Sequence, residues 1–224
     1  MSKSLLLPQM ETSLKNKFDS IIFDLDGTLW NSTKNVAVAW QRTAEHYKEW
    51  IHREMTPAVI ESICGLTYDN IFETLFPELD AEQRLAVQTM CSKHELEVLA
   101  KTGGDLYPHL GETLKYLSAK YKLFVVSNCQ SGYIEIFFNT SGLGHYFSGH
   151  QCYGTKGQPK WENIKDVVKD NSLTAPVYIG DTISDYNSAA KAGVPFIFAA
   201  YGFGMVEGGQ VVTINSLGEL TEIL

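Results

Sequence analysis

Short apolar runs alternate along this chain with longer stretches in which apolar residues recur every three or four positions. Ser20-Ile21-Ile22-Phe23 is such a run, and it stops abruptly at the polar turn Asp24-Leu25-Asp26-Gly27-Thr28. An unbroken apolar run of this length, bounded by a turn, is the pattern of a parallel strand covered on both faces. Similar runs recur at Lys122-Leu123-Phe124-Val125-Val126, Pro176-Val177-Tyr178-Ile179 and Pro195-Phe196-Ile197-Phe198-Ala199. Between them lie helical patterns. Lys160 to Asp170 puts Ile164, Val167 and Val168 on one face, and Ser184 to Lys191 stops at Gly193. Ser216 with Glu219 has capping-box spacing and predicts the start of a last helix. The alternation predicts an α/β fold with a doubly wound, Rossmann-like parallel sheet.

From about residue 32 to 105 the pattern changes, with helical signals and no strand signal. Thr56-Pro57 reads as an N-cap followed by proline at the first helical position, and Asp80 with Gln83 reads as another helix start. Gly103-Gly104 and Pro108 mark a return to the sheet. The expected organisation is therefore a core domain from 1–31 and 106–224, with a helical cap domain over 32–105 inserted after the first strand's polar turn.

Composition agrees with a folded globular chain: of 224 residues, 44% are hydrophobic and 20% charged. The net charge of −8 speaks against nucleic acid as a partner, because binding a phosphate backbone requires clustered Lys and Arg. Cys64, Cys91, Cys129 and Cys152 are scattered, without the spacing of a zinc site or a disulfide framework. The apolar patch Leu5 to Leu7 is broken by Pro8 and is too short for a signal-peptide core. No apolar run approaches the ~20 residues of a membrane span. A cytoplasmic protein without membrane association is expected. The histidines show no ligand-like clustering, and packing accounts for Trp30, Trp40 and Trp50, with Trp30 a candidate for lining the cap–core cleft.

In open α/β sheets ligands bind beyond the carboxyl ends of the strands. The first strand ends in Asp24 and Asp26, the second in Ser127 and Asn128, and the third in Gly180-Asp181-Thr182 with Asp185 close behind. Carboxylates converging from separate strand ends repel one another unless a cation sits between them. An oxygen-only donor set suits Mg²⁺. A turn or cap explains any one of these aspartates alone, but not all of them together.

Asp24-Leu25-Asp26-Gly27-Thr28-Leu29 resembles the D-x-D-G-T motif that opens the haloacid dehalogenase superfamily. The resemblance extends through Val126-Ser127-Asn128 and Gly180-Asp181-Thr182-Ile183-Ser184-Asp185, in the family's order, and is greatest to the phosphoglycolate phosphatase branch. It implies a Mg²⁺-dependent phosphatase acting on a small phosphorylated metabolite. Asp24 would attack phosphorus and become an aspartyl phosphate, and Asp26 would protonate the leaving oxygen and then activate water. The backbone carbonyl of Asp26, with Asp24 and Asp181, would ligate the metal, and Asp185 would be a direct or indirect metal partner. Gly27 would allow the tight turn. Gly27, Thr28, Ser127 and Asn128 would help bind the phosphoryl group. The motif also requires a lysine, for which Lys160 and Lys156 compete. Lys160, at a helix boundary, is preferred, although proline precedes it here where the family commonly has proline following. Gly65-Leu66-Thr67 falls where related caps dip a specificity loop into the site.

Rival readings are separable by residue. A dehalogenase would not need the carboxylate of Asp26, and nothing selects a Schiff-base lysine among Lys34, Lys48, Lys93 and Lys101. A sugar-phosphate mutase shares the same motifs and stands as the alternative enzyme. A non-catalytic phospho-aspartate switch or binding protein would need neither Asp26 as a proton carrier nor a cap of this size.

Overall fold

The structure is a computed structural model that describes residues 14–224; the Leu5 to Leu7 patch lies outside the described residues. The strands are β1 (Ser20–Phe23), β2 (Trp30–Asn31), β3 (Asp105–Leu106), β4 (Lys122–Ser127), β5 (Gly149–Cys152), β6 (Pro176–Gly180), β7 (Phe196–Ala199) and β8 (Val212–Ile214). The helices are α1 (Thr33–His46), α2 (Pro57–Glu61), α3 (Tyr68–Leu75), α4 (Ala81–Thr102), α5 (Leu110–Ser118), α6 (Tyr133–Ser141), α7 (Tyr153–Lys156), α8 (Lys160–Asp170), α9 (Ile183–Ala192) and α10 (Leu220–Ile223).

Six strands form one parallel sheet in the order β5-β4-β1-β6-β7-β8. Side chains alternate between its faces. Ile21, Phe23, Val125 and Ile179 pack into one core, and Ile22, Phe124, Val126 and Tyr178 join Ile164, Val167 and Ala189 of α8 and α9 in the other. Burial on both faces explains why the central strands read as continuous apolar runs. The register then positions the site. Phe23 is level with Val125 on one side and Ile179 on the other, so the chain leaves β1, β4 and β6 at the same edge of the sheet.

Besides the two-residue strands β2 and β3, two strands of the six-stranded sheet escaped the sequence pattern. Gly149-His150-Gln151-Cys152 is an edge strand, largely half-buried, with no apolar run to reveal it, and β8 is only three residues long. The expected capping box at Ser216 is not formed. Leu217–Glu219 is a 3₁₀ turn, Glu219 accepts from the amide of Asn215 at 3.2 Å, and the α-helix starts at Leu220. Lys156 ends the short helix α7 rather than occupying a loop.

Helices α1 to α4 fill the chain between β2 and β3, which pair antiparallel as a two-residue ribbon. Trp30 in this ribbon is fully buried against Tyr133 and Phe137 of α6 and does not line the cleft, contrary to expectation. Thr56 caps α2, accepting from the amide of Val59 at 3.3 Å. Asp80 and Gln83 form a reciprocal capping box on α4 at 2.8 and 3.1 Å. Among the described residues, no helix is long and apolar enough to cross a membrane.

The Asp80 cap is exposed and serves only the start of α4. Asp80→Ala should therefore cost about 1 kcal/mol in a urea titration, and an unchanged midpoint would show that the box contributes nothing to α4.

Candidate active site

Asp24 follows β1 directly, and its N–H donates to the carbonyl of Ile179 at 2.8 Å, which ties the turn to the end of β6. Gly27 has φ 82°, in the left-handed region, and a Cβ there would strike the Asp181 carboxylate. Glycine is needed for both reasons. Asp181 leaves the end of β6, and Asp185 sits in the first turn of α9, which Thr182 caps. One oxygen from each of Asp24, Asp181 and Asp185 lies within 4.8 Å of the other two.

Lys160 starts α8, is only 3% exposed, and donates to Asp24 Oδ1 at 2.8 Å and to Asp185 Oδ1 at 2.6 Å. Lys156 lies elsewhere, paired on the surface with Asp166 at 2.6 Å. The lysine that the sequence favoured and its alternative are thus distinct in place. Asp185 is fully committed within the protein. Its Oδ1 also accepts from Tyr178 at 3.3 Å, and its Oδ2 accepts from the Thr182 amide at 3.0 Å and hydroxyl at 2.6 Å. Its distance qualifies it for a cation, but its bonds make it the residue that orients Lys160.

Burial pushes the Asp24 carboxyl up to about 7, with Asp185 adding to the rise and Lys160 opposing it. Burial, then Asp185 and Asp24, hold Asp181 well above the usual carboxylate range. Burial also works against the Lys160 ammonium, yet Asp185 and Asp24 outweigh it and keep the lysine charged. One ammonium among three buried carboxylates leaves positive charge in deficit. Asp181 accepts from the Phe203 amide through Oδ2 at 2.7 Å, while its Oδ1 is buried without a donor. An orphaned carboxylate oxygen beside the Asp24 carboxylate, in an all-oxygen set, fits a hard divalent cation.

Asp26 is held differently. Its Oδ1 accepts from Ser32 Oγ at 2.7 Å and lies 2.9 Å from the Tyr133 hydroxyl, which is itself 2.7 Å from Ser32 Oγ. Ser32 occupies the N-cap position of α1 but gives its hydroxyl to Asp26, while the Asn31 side chain takes the Thr33 amide at 3.0 Å. Desolvation raises the Asp26 pKa, outweighing the Ser32 and Tyr133 hydrogen bonds. An oriented carboxyl that resists ionisation is suited to donating a proton.

A small cavity of about 80 Å³ opens over this cluster, lined by Asp24, Asp26, Ser127, Asn128 and Lys160 from below and by Gly65 and Leu66 from above. Gly65 bridges the halves, its carbonyl accepting from Asn128 Nδ2 and Ser184 Oγ, each at 2.9 Å. Thr67 starts α3 and does not line the cavity. Nor do Gly27 and Thr28. The Thr28 side chain is fully buried, its hydroxyl has no partner and its carbonyl accepts from Tyr201 at 2.9 Å, so this threonine lies in the turn and not on the cavity wall.

Sequence reasoning missed Ser32, Tyr133 and Glu95. Glu95 alone left a signal: Val87, Cys91, Val98 and Leu99, at helical spacing around it, are all buried, so an acid interrupts the apolar stripe of α4.

The profile of the haloacid dehalogenase-like hydrolases matches residues 21–199, which spans all of these strand ends. The chain belongs to this family. The hydrolase is 28% identical over 191 residues to a phosphoglycolate phosphatase of Aquifex aeolicus, covering 82% of this chain and 85% of the relative. It is 27% identical over 204 residues to one of Vibrio cholerae, covering 84% of each. Its fold superposes on a haloacid dehalogenase-like family hydrolase of Streptococcus pneumoniae with a TM-score of 0.80 at 20% identity, covering 92% of this chain and 98% of that one. On a protein of Haemophilus somnus described as a predicted phosphoglycolate phosphatase the TM-score is 0.78, again at 20% identity, covering 93% and 99%.

Glu95 is fully buried, and burial pushes its carboxyl from 4.5 up to about 7 despite hydrogen bonds from Gln130 and Trp40. A raised folded-state pKa favours the neutral acid, so its contribution is full below the unfolded value and is lost as pH rises through about 7. The uncharged variant Glu95→Gln should gain stability relative to the parent as pH climbs from about 4.5 past 7, read by denaturant unfolding. A difference independent of pH would mean that Glu95 is ionised throughout.

Proposed function

We propose that this hydrolase is a Mg²⁺-dependent phosphatase that cleaves a small phosphate monoester through an aspartyl phosphate on Asp24. The observation that carries the reading is the placing of Lys160 against Asp24, at the floor of a cavity that also receives Asp26. The phosphoglycolate phosphatases among its relatives support the reaction class. In this reading Asp24 and Asp181 hold Mg²⁺, which neutralises the crowded carboxylates and the charge on the phosphoryl oxygens when bound.

The chain's own residues supply the remaining chemistry. The Asp24 oxygen not bonded to Lys160 attacks phosphorus, the P–O bond to the alcohol breaks, and Asp26 passes its proton to the departing oxygen. Asp26, now a carboxylate, takes a proton from water as that water attacks the aspartyl phosphate, which releases inorganic phosphate and restores Asp24. Lys160 holds the nucleophile in place and offsets charge on the transferring group, and Asp185 keeps Lys160 aimed. Ser127 and the Asn128 amide stand at the cavity floor to hold phosphoryl oxygens. Ser32 and Tyr133 keep Asp26 pointed at the leaving oxygen. Helices α1 to α4 act as a cap that excludes bulk water, hinged at the ribbon of Trp30–Asn31 with Asp105–Leu106.

Phosphate release from a panel of monoesters tests this. Activity should require Mg²⁺ and vanish in a folded Asp24→Asn variant. Lys160→Ala should lose on the order of a hundredfold or more in turnover, as expected for a charge contact in a water-excluded site, while Lys156→Ala stays within about a few-fold of the parent, as expected of an exposed ion pair. Undiminished turnover in Asp24→Asn, or a loss confined to Lys156→Ala, would overturn the assignment.

A further inference from the structure

The upper wall of the cavity differs in chemistry from its floor. Val36, Trp40, Ile60, Ile63 and Ile71, all from the helical insertion, give it a largely apolar surface, interrupted by the Tyr68 hydroxyl. Set into that surface is Glu95 of α4, the one charged side chain the insertion contributes to the described lining. It is 4% exposed. Trp40 Nε1 donates to its Oε2 at 2.7 Å and Gln130 Nε2 to its Oε1 at 2.9 Å. Each oxygen of the carboxylate form therefore has one donor and a lone pair to spare, so a bound donor would favour ionised Glu95 over the neutral acid, which carries a proton on one of them.

Among the described lining residues Lys160 is the sole cation, and it is already bound to Asp24 and Asp185. A second anionic group on the substrate, beyond the phosphoryl, would lie against a carboxyl and hydrocarbon with no countercharge. Burying an unpaired charge is costly. A donor in the same place would complete the Glu95 hydrogen bonding, and an ammonium would also gain from the electron-rich faces of Trp40 and Tyr68.

We infer that the alcohol portion of the substrate carries no carboxylate and instead presents a hydrogen-bond donor, an ammonium or a hydroxyl, on a small apolar frame to Glu95. This deepens the phosphatase reading and rests on it. It also separates this hydrolase from relatives that bear the name phosphoglycolate phosphatase, because phosphoglycolate ends in a carboxylate for which the described wall offers no cation.

The test compares 2-aminoethyl phosphate, glycerol 2-phosphate, ethyl phosphate and phosphoglycolate on the Mg²⁺-loaded enzyme. The better of the two donor-bearing esters should exceed phosphoglycolate at least tenfold in kcat/KM, and which of them leads tells ammonium from hydroxyl. Ethyl phosphate should fall between. Glu95→Gln should erase most of the donor advantage through KM, with kcat little changed. Ile71→Lys, at a half-buried wall position, should raise the relative use of phosphoglycolate several-fold. Phosphoglycolate as the best substrate, or ratios unchanged in both folded variants, would overturn the inference while leaving the phosphatase reading intact. Release from none of the four esters would overturn both.

Discussion

Lys160 places a buried ammonium between Asp24, which ends β1, and Asp185, which begins α9, at 2.8 and 2.6 Å. Three segments far apart in sequence are held by that one charge, and none could keep its own charge in this setting alone. Without Lys160 the carboxylates would face each other across a dry gap, and the Asp24 pKa, already lifted by burial and by Asp185, would lose the cation that opposes the rise. Buried ion pairs of this kind are a weak route to stability, because desolvation consumes much of the Coulomb gain. Their value here is positional: Asp24, the nucleophile of the proposed mechanism, keeps one fixed oxygen and one open one.

The sheet makes that convergence possible. Because β1 runs level with β4 and β6, their chain exits open onto one edge, and glycine clears the space between them. A Cβ at Gly202 would collide with Asp181 just as one at Gly27 would, so Asp181 is packed by backbone from two sides and cannot drift. Its unsatisfied Oδ1 is thereby a fixed acceptor. Rigidity of this kind suits transition-state stabilisation, which depends on groups that need not reorganise as charge develops.

The floor of the site was legible in the sequence because each strand is an apolar run that ends in a polar residue, and strand ends are where such sheets bind ligands. The preference for Lys160 over Lys156 was legible as a position at a helix start, but the contacts of the two lysines were not. Both sit near one helix boundary, and only the docking of α8 on the sheet turns one inward and leaves the other on Asp166. That Thr28 lies off the cavity wall was not legible, because a turn motif fixes which residues are present and not where each side chain points. Tyr133 left no trace at all, since its contact with Asp26 spans 107 positions. The edge strand β5 was hidden for a simpler reason: a strand with little apolar burial has no period to detect.

The central claim is that Asp24 carries the phosphoryl group during turnover, and acid-quenched enzyme mixed with a turned-over monoester addresses it directly. Peptide mapping by mass spectrometry should find phosphate on the peptide containing Asp24, accumulating when proton abstraction from water is slowed by Asp26→Asn with an activated aryl phosphate as substrate. Phosphate on a different side chain, or product formed at full rate with Asp24 never modified under any quench time, would contradict the account.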